Sequence, residues 1–236
     1  MYGWRAKIGQ MIPSVNTCTE PQMHLMAPKN IALYATRLRL RGSSTSEIAQ
    51  MSTFTEQGAE LLADAQVDLI IFYCTAGSFI GGEDLNKQIV DRIEKMTNIP
   101  AITTATAVVN ALQMLKLKKV TLITPYPEEI NRAECDFLAV HGVEVTSQYG
   151  MGLMDGLAYA SVDPGAWYRI AKQNDNSASD GILFSCTNTR VIEIIDALEK
   201  DTKKPVVTSN QATLWYALLK LGIGEKIDGY GTLLRM

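Results

Sequence analysis

Short apolar segments alternate with longer amphipathic segments along the whole chain, and this alternation restricts the possible folds more than any other feature. The apolar segments predict eight buried strands, at residues 7–12, 31–38, 67–74, 101–104, 120–125, 144–148, 181–186 and 205–208. The amphipathic segments predict helices near residues 46–65, 83–97, 107–117, 128–141, 164–174, 190–201 and 212–221. Continuous apolar strands that alternate with helices are typical of parallel sheets covered on both faces. The sequence therefore predicts an α/β fold.

One local pattern that ends in cysteine occurs in both halves of the chain. Residues 67–75 read VDLIIFYCT, and residues 180–187 read DGILFSCT. Each copy precedes a predicted helix, and each of these helices precedes a strand that opens with proline, at Pro100 or Pro205. The cysteines of the two copies are 112 residues apart. A repeat of this length predicts two similar α/β lobes, because solenoid repeats are much shorter.

The two repeated cysteines, Cys74 and Cys186, come at the carboxyl ends of predicted strands. Ligands of open parallel sheets bind at this edge, so the two thiols are expected to face one cleft if a pseudo-twofold axis relates the lobes. The hydroxyl, amide and main-chain N–H groups that follow each cysteine suit an anion and also favour the thiolate. This pattern predicts acid–base or nucleophilic thiol chemistry on a small carboxylate. The alternative is that both cysteines are inert core residues.

Composition argues against several other classes of protein. The net charge is −3 and the basic residues are scattered, so neither nucleic acid nor an anionic membrane is the expected partner. No segment approaches the length of a membrane span or a secretory signal, which makes the cytoplasm the expected location. The four cysteines are far apart and there are only two histidines, so we expect no metal site and no disulfide framework. No glycine-rich dinucleotide motif opens a helix, and we expect no cofactor.

Six short motifs carry a family resemblance over nearly the whole chain: IPSVNT at 12–17, CTAGS at 74–78, TATA at 104–107, TPYPEEIN at 124–131, SCTN at 185–188 and GYG at 229–231. In their order and spacing the chain resembles the aspartate/glutamate racemase superfamily, in particular its branch of maleate cis–trans isomerases and arylmalonate decarboxylases. The resemblance implies two pseudo-symmetric lobes, each a parallel sheet flanked by helices, with the active site in the cleft between them. The first lobe is expected to comprise residues 1–105 and 211–236, and the second residues 106–210.

The same resemblance implies a role for each candidate residue. Cys74 matches the cysteine of the isomerases that adds to the substrate double bond, and Cys186 matches the one that donates or accepts a proton. Asn16 and Tyr126 match residues that bind the substrate carboxylates. Further hydrogen-bonding candidates in the same predicted loops are Ser14, Thr75, Ala76, Thr187 and Asn188.

The leading hypothesis is a cofactor-independent isomerase or racemase of a small carboxylate or dicarboxylate, with maleate-like cis–trans isomerisation as the best single prediction. Arylmalonate decarboxylases have glycine at the first cysteine position, so Cys74 argues against that reaction. A decarboxylase that uses Cys186, and a non-catalytic carboxylate-binding protein, are the alternatives. The isomerases carry an asparagine where this chain has Gly156, which leaves a racemase or an isomerase of a bulkier diacid open. A homo-oligomer is expected, since most soluble oligomers are symmetric homo-oligomers.

Overall fold

The computed structural model describes residues 2–40, 42 and 44–236, and these residues form two parallel sheets of four strands each. The strands of the first sheet are β1 (Ala6–Pro13), β2 (Ile31–Leu38), β3 (Leu69–Phe72) and β4 (Ala101–Thr103). Those of the second are β5 (Lys119–Thr124), β6 (Glu144–Gly150), β7 (Gly181–Phe184) and β8 (Val206–Thr208). The strand orders, β2-β1-β3-β4 and β6-β5-β7-β8, repeat one pattern. The predicted α/β fold with two similar parallel sheets is confirmed.

Eleven α-helices lie in the described part of the chain. They are α1 (Thr19–Met26), α2 (Thr45–Met51), α3 (Thr55–Asp64), α4 (Thr75–Phe79), α5 (Gly82–Thr97), α6 (Thr104–Met114), α7 (Glu128–Val140), α8 (Gly156–Ser161), α9 (Pro164–Asn174), α10 (Ile195–Thr202) and α11 (Ser209–Lys220). None of these helices combines the length and the apolar composition that crossing a bilayer requires.

The helix predictions were wrong in two respects. The sequence pattern did not predict α1, α4 or α8, which have only 8, 5 and 6 residues and are too short to establish a clear amphipathic period. The single helix predicted near residues 46–65 is two helices, α2 and α3, because a 3₁₀ turn at Ser52–Phe54 separates them.

The two strands that were predicted to end at Cys74 and Cys186 end two residues earlier in the structure. Strands β3 and β7 stop at Phe72 and Phe184, and all of their residues are buried, as expected for strands covered on both faces. The chain then turns, and the cysteine side chain accepts a main-chain hydrogen bond within that turn. Cys74 and Cys186 therefore lie in matching turns just beyond the carboxyl ends of two central strands.

The helix that follows each sheet contributes to the core of the other one. Helix α6 follows β4, but its Leu112 shares a hydrophobic cluster with Leu122 of β5. Helix α11 follows β8, and its Leu214 shares a cluster with Ile71 of β3. The two helices also pack against each other. The predicted lobe boundaries stay a prediction.

Candidate active site

Residues from both halves of the chain line one cavity of about 50 Å³. Cys74 and Cys186 both line it, and their exposed fractions are only 7% and 6%. Six of the predicted binding residues also contribute to the lining: Asn16, Thr75, Ala76, Tyr126, Thr187 and Asn188. A cavity of this size holds a few water molecules, so the site suits a small ligand.

Each thiol accepts one main-chain hydrogen bond from the turn that follows it. The Gly77 N–H donates to Cys74 Sγ at 3.3 Å, and the Asn188 N–H donates to Cys186 Sγ at 3.3 Å. Burial raises the pKa of Cys74 to about 11 and the pKa of Cys186 to about 12, and these N–H groups oppose the increase only in part. At neutral pH both sulfurs are therefore mostly protonated, and the thiolate of either is a minor species.

The hydroxyl of Tyr126 contacts the Cys186 thiol and stabilises its thiolate by a hydrogen bond. Tyr126 is only 4% exposed, and its ring packs edge-on against Tyr159 with 5.9 Å between the ring centroids. Burial, followed by the negative charges of Cys186 and Glu134, raises the pKa of Tyr126 well above its ordinary value. The phenol therefore keeps its proton and remains a hydrogen-bond donor toward the cavity.

Ser209, which the sequence interpretation did not single out, connects the two cysteine turns. Its Oγ accepts a hydrogen bond from the Cys186 N–H at 3.1 Å and another from the Thr75 hydroxyl at 3.1 Å. Ser209 is the first residue of α11, directly after the capping residue Thr208, and it is fully buried. A threonine at the end of a strand precedes the helix in both halves, Thr103 before α6 and Thr208 before α11, so the sequence gives a signal for the start of each helix. Only the fold shows that Ser209 lies beside Cys186.

The side chains of Asn16 and Asn188 hold the loops of the site together. Asn16 Nδ2 donates to Thr187 Oγ1 at 3.0 Å, which links the loop after β1 to the turn after β7. Asn188 Oδ1 accepts from the Thr17 N–H at 2.9 Å, and its Nδ2 donates to the Gly156 carbonyl at 2.6 Å. Both amides therefore already have protein partners at the edge of the cavity.

Ser14 is the one predicted site residue that does not line the cavity. Its hydroxyl donates to the Leu40 carbonyl at 2.9 Å and accepts from the Leu40 N–H at 3.1 Å. These two bonds attach the end of β1 to the chain that follows β2. The predicted role of Ser14 in substrate binding stays a prediction that this geometry does not support.

The rest of the wall is largely apolar, and apart from Gly156 its residues were not assigned to the site from the sequence. Leu40 and Ile48 come from the chain around the start of α2, and Tyr159 comes from α8. An isolated antiparallel bridge between Gly42 and Asp155 joins these two segments. Apolar residues at such positions are indistinguishable from core residues in a sequence, so no local pattern predicted them.

The polar groups that the described residues bring to the cavity are uncharged. Among the residues that the structure describes, no lysine, arginine or histidine lines the cavity, and no cluster of three or more His, Cys, Asp or Glu side chains could hold a metal ion. The first N–H groups of α4, at Thr75 and Ala76, have no partner within the helix. The described residues therefore offer a carboxylate main-chain N–H groups, hydroxyls and amides.

Comparison with known proteins gives a consistent set of relatives. The sequence model of a family described as arylmalonate decarboxylase matches residues 8–234. The chain is 28% identical to a maleate isomerase of Pseudomonas putida over 241 residues, which cover 97% of this chain and 96% of that protein. It is 32% identical to an arylmalonate decarboxylase of Bordetella bronchiseptica over 162 residues, or 67% and 68% of the two chains. A crystal structure of a variant of the maleate isomerase Iso from Pseudomonas putida S16 with maleate is similar at a TM-score of 0.93 and 26% identity, covering 98% of this chain and 97% of that one.

Proposed function

Because the chain belongs to the arylmalonate decarboxylase family, we propose that it is a cofactor-independent, two-cysteine isomerase that converts maleate, a small cis-dicarboxylate, into its trans isomer. The observation that carries this proposal is that Cys74 and Cys186 line the same cavity. The similarity to maleate isomerases over nearly the full length of both chains supports it.

In the proposed reaction, the Cys74 thiolate adds to one carbon of the double bond. The electron pair of that bond moves toward the neighbouring carboxylate, and Cys186 gives its proton to the second carbon. The new single bond between the two carbons then rotates. Cys186 takes the proton back, the double bond forms again, and Cys74 leaves as a thiolate, so no proton is gained or lost overall.

Main-chain and hydroxyl donors would stabilise the negative charge that develops during the addition. Tyr126 keeps its proton and faces Cys186, and the N–H groups of Thr75 and Ala76 begin the helix beside Cys74. Fixed donors at the place where charge appears are the most effective form of such stabilisation. We therefore propose that these groups bind the substrate carboxylates, together with Thr187 and the turns that Asn16 and Asn188 hold in place.

The arylmalonate decarboxylase relative makes decarboxylation the second candidate function. In that reaction Cys186 would protonate the carbon that loses carbon dioxide, and Cys74 would be dispensable. The presence of a thiol at position 74 favours isomerisation, because only a nucleophilic addition requires it.

Replacing Cys74 by alanine tests the proposal directly. We expect C74A to lose maleate isomerisation by about 10³-fold or more while remaining folded, since the proposed nucleophile is removed. The matched control is Cys135→Ala, because Cys135 is half-buried on α7, does not line the cavity, and bonds to Gln148. Fumarate formation is followed by NMR.

Unchanged turnover in C74A would refute the nucleophilic role of Cys74. Release of carbon dioxide from a substituted malonate by wild-type protein and by C74A alike would favour the decarboxylase. If neither substrate class reacts but a dicarboxylate binds in the cavity, the protein is a binding protein and the proposal fails.

We also propose a homo-oligomeric assembly and a cytoplasmic location, as the sequence predicted. Closed homo-oligomers are the commonest assemblies of soluble proteins, with dimers the most frequent. Light scattering after size exclusion measures the assembly, and a monomer at micromolar concentration would contradict it. Fractionation of cells that express the full-length protein measures the location.

A further inference from the structure

Glu134 is a buried acidic residue that the proposed reaction does not use. It lies on α7 and is only 2% exposed. Ile130 and Asn131, four and three residues earlier, are buried on the same face of this helix. Asn131 Nδ2 donates to the main-chain carbonyl of Tyr126 at 3.2 Å, so this face of α7 packs directly behind the active-site tyrosine. Acidic side chains are almost never fully buried without a partner, which makes Glu134 unusual.

The contacts of Glu134 are incomplete. Ser185, the residue before Cys186, faces the carboxyl group, and its hydroxyl lowers the pKa of Glu134. Within the part of the chain that the structure describes, however, neither Glu134 Oε2 nor Ser185 Oγ has a partner of hydrogen-bond geometry. Burial outweighs the serine contact and raises the pKa of Glu134 to about 8. At neutral pH the carboxyl group is therefore mostly protonated.

The titratable groups that face Glu134 are connected to the reaction. Tyr126, just beyond β5, experiences the charge of Glu134 and contacts Cys186 through its hydroxyl. Cys135, the neighbour on α7, also experiences that charge, together with the charges of Asp136 and Glu128. A carboxylate at position 134 would thus add a negative charge behind Tyr126, the residue whose hydroxyl lowers the pKa of Cys186.

We propose that Glu134 is a positioning residue which acts through Tyr126 and Ser185: as the neutral acid it donates its proton toward Ser185 Oγ, and its ionisation suppresses the thiolates of the site at alkaline pH. This inference rests on the proposed two-thiol function. The step is a simple proton loss, in which the carboxyl proton passes to hydroxide and leaves one negative charge on the buried carboxylate.

The test measures the thiols themselves and needs no turnover. The rate of alkylation of Cys186 and Cys74 by iodoacetamide is determined by peptide mass spectrometry between about pH 6 and about pH 9.5, in wild type, Glu134→Gln and Asp136→Asn. Asp136 is an exposed acid on the same helix and provides the matched removal of one charge. The logarithm of the rate should rise with pH along the same line in wild type and D136N, and more steeply in E134Q above about pH 8.

We expect the ratio of the E134Q rate to the wild-type rate to be constant below about pH 7 and to increase at least about threefold by about pH 9.5. A ratio that stays constant over the whole range overturns the inference, and so does a D136N profile that matches that of E134Q. If E134Q does not fold, infrared spectra of wild-type protein with ¹³C-labelled glutamate decide the matter. They should contain a protonated glutamic acid band at pH 7 that disappears with a midpoint near pH 8, and its absence at pH 7 overturns the inference.

These outcomes are distinguishable from a failure of the proposed function. If maleate is not isomerised but the alkylation ratio increases, the proposed function fails and the role of Glu134 toward the thiols stands. If maleate is isomerised and the ratio is constant, only the inference about Glu134 fails.

Discussion

Replacing Ser209 by alanine removes a buried hydroxyl on which both cysteine turns depend. In the native structure Ser209 Oγ accepts from the Cys186 N–H and from the Thr75 hydroxyl, both at 3.1 Å. The Thr75 hydroxyl can rotate toward another acceptor, but the Cys186 N–H is fixed by the backbone. Leaving one buried donor unsatisfied costs about 1–3 kcal/mol. For a chain of this size each kcal/mol corresponds to about 2–4 °C in melting temperature.

The effect on turnover should exceed the effect on stability. Cys186 lies two residues after a short, fully buried strand, so a shift in its main chain moves the sulfur relative to a substrate held in the cavity. A displacement of about 1 Å in a reacting group can cost up to about 10²-fold, and we expect kcat of S209A to fall by about 10- to 100-fold. Maleate turnover and urea unfolding, measured on the same preparation, separate the two effects.

Two control variants make the Ser209 experiment decisive. Ser209→Thr keeps the hydroxyl and should restore most of the activity. Ser179→Ala also removes a buried hydroxyl, one that bonds to Thr121 at 2.8 Å and to Thr146 at 2.6 Å, but it does not line the cavity. We expect S179A to lose stability and keep its turnover. Wild-type kcat in S209A, or an equal loss of kcat in S179A, would show that Ser209 has no specific role in the site.

Two further predictions concern stability. As the pH rises from about 4.5 to about 8, the free energy of unfolding of wild type relative to that of E134Q should fall by about 1.4 kcal/mol per pH unit, because the Glu134 carboxyl ionises in the unfolded chain first and in the folded chain only near pH 8. Urea unfolding of both proteins measures this difference, and a difference that does not change with pH would contradict it. Asn188→Ala should lower the free energy of unfolding by about 2–4 kcal/mol, because the Thr17 N–H and the Gly156 carbonyl lose their side-chain partner, whereas the Cys18 N–H keeps its bond to Asn16 Oδ1. A loss below about 0.5 kcal/mol in the same assay would mean that water replaces the amide.

The part of the site that sequence predicts well is the part determined by local patterns. The two Cys-Thr pairs follow buried apolar segments, and parallel strands bring their carboxyl ends to one edge of the sheet. That rule was sufficient to place Cys74, Thr75, Cys186 and Thr187 in the lining of one cavity. The predicted ends of β3 and β7 were two residues too late, because in the sequence a cysteine that begins a turn cannot be told from the last residue of a strand.

The residues that sequence did not predict reach the site through tertiary packing. Ser209 begins a helix after the last strand, and Leu40 and Tyr159 come from segments of different halves. No spacing of residues along the sequence indicates that these segments come together at the cavity. The sequence gives a weak indication that Glu134 is buried. It lies four residues after Ile130 and three before Phe137, which places it on the apolar face of α7. In a segment rich in charged residues, that placement is easily overlooked.

The repeated strand order accounts for the two thiols, and the differences between their surroundings are consistent with the two roles proposed for them. After burial and the hydrogen bonds to Cys186, the charge of Cys74 is a further cause that raises the pKa of Cys186. Formation of the Cys74 thiolate therefore strengthens the hold of Cys186 on its proton, and the pair favours one thiolate and one thiol over two thiolates. Addition to a double bond followed by protonation requires this state. In the proposed reaction the two thiols would therefore supply one thiolate at a time, while the other sulfur, to which Tyr126 donates, keeps its proton.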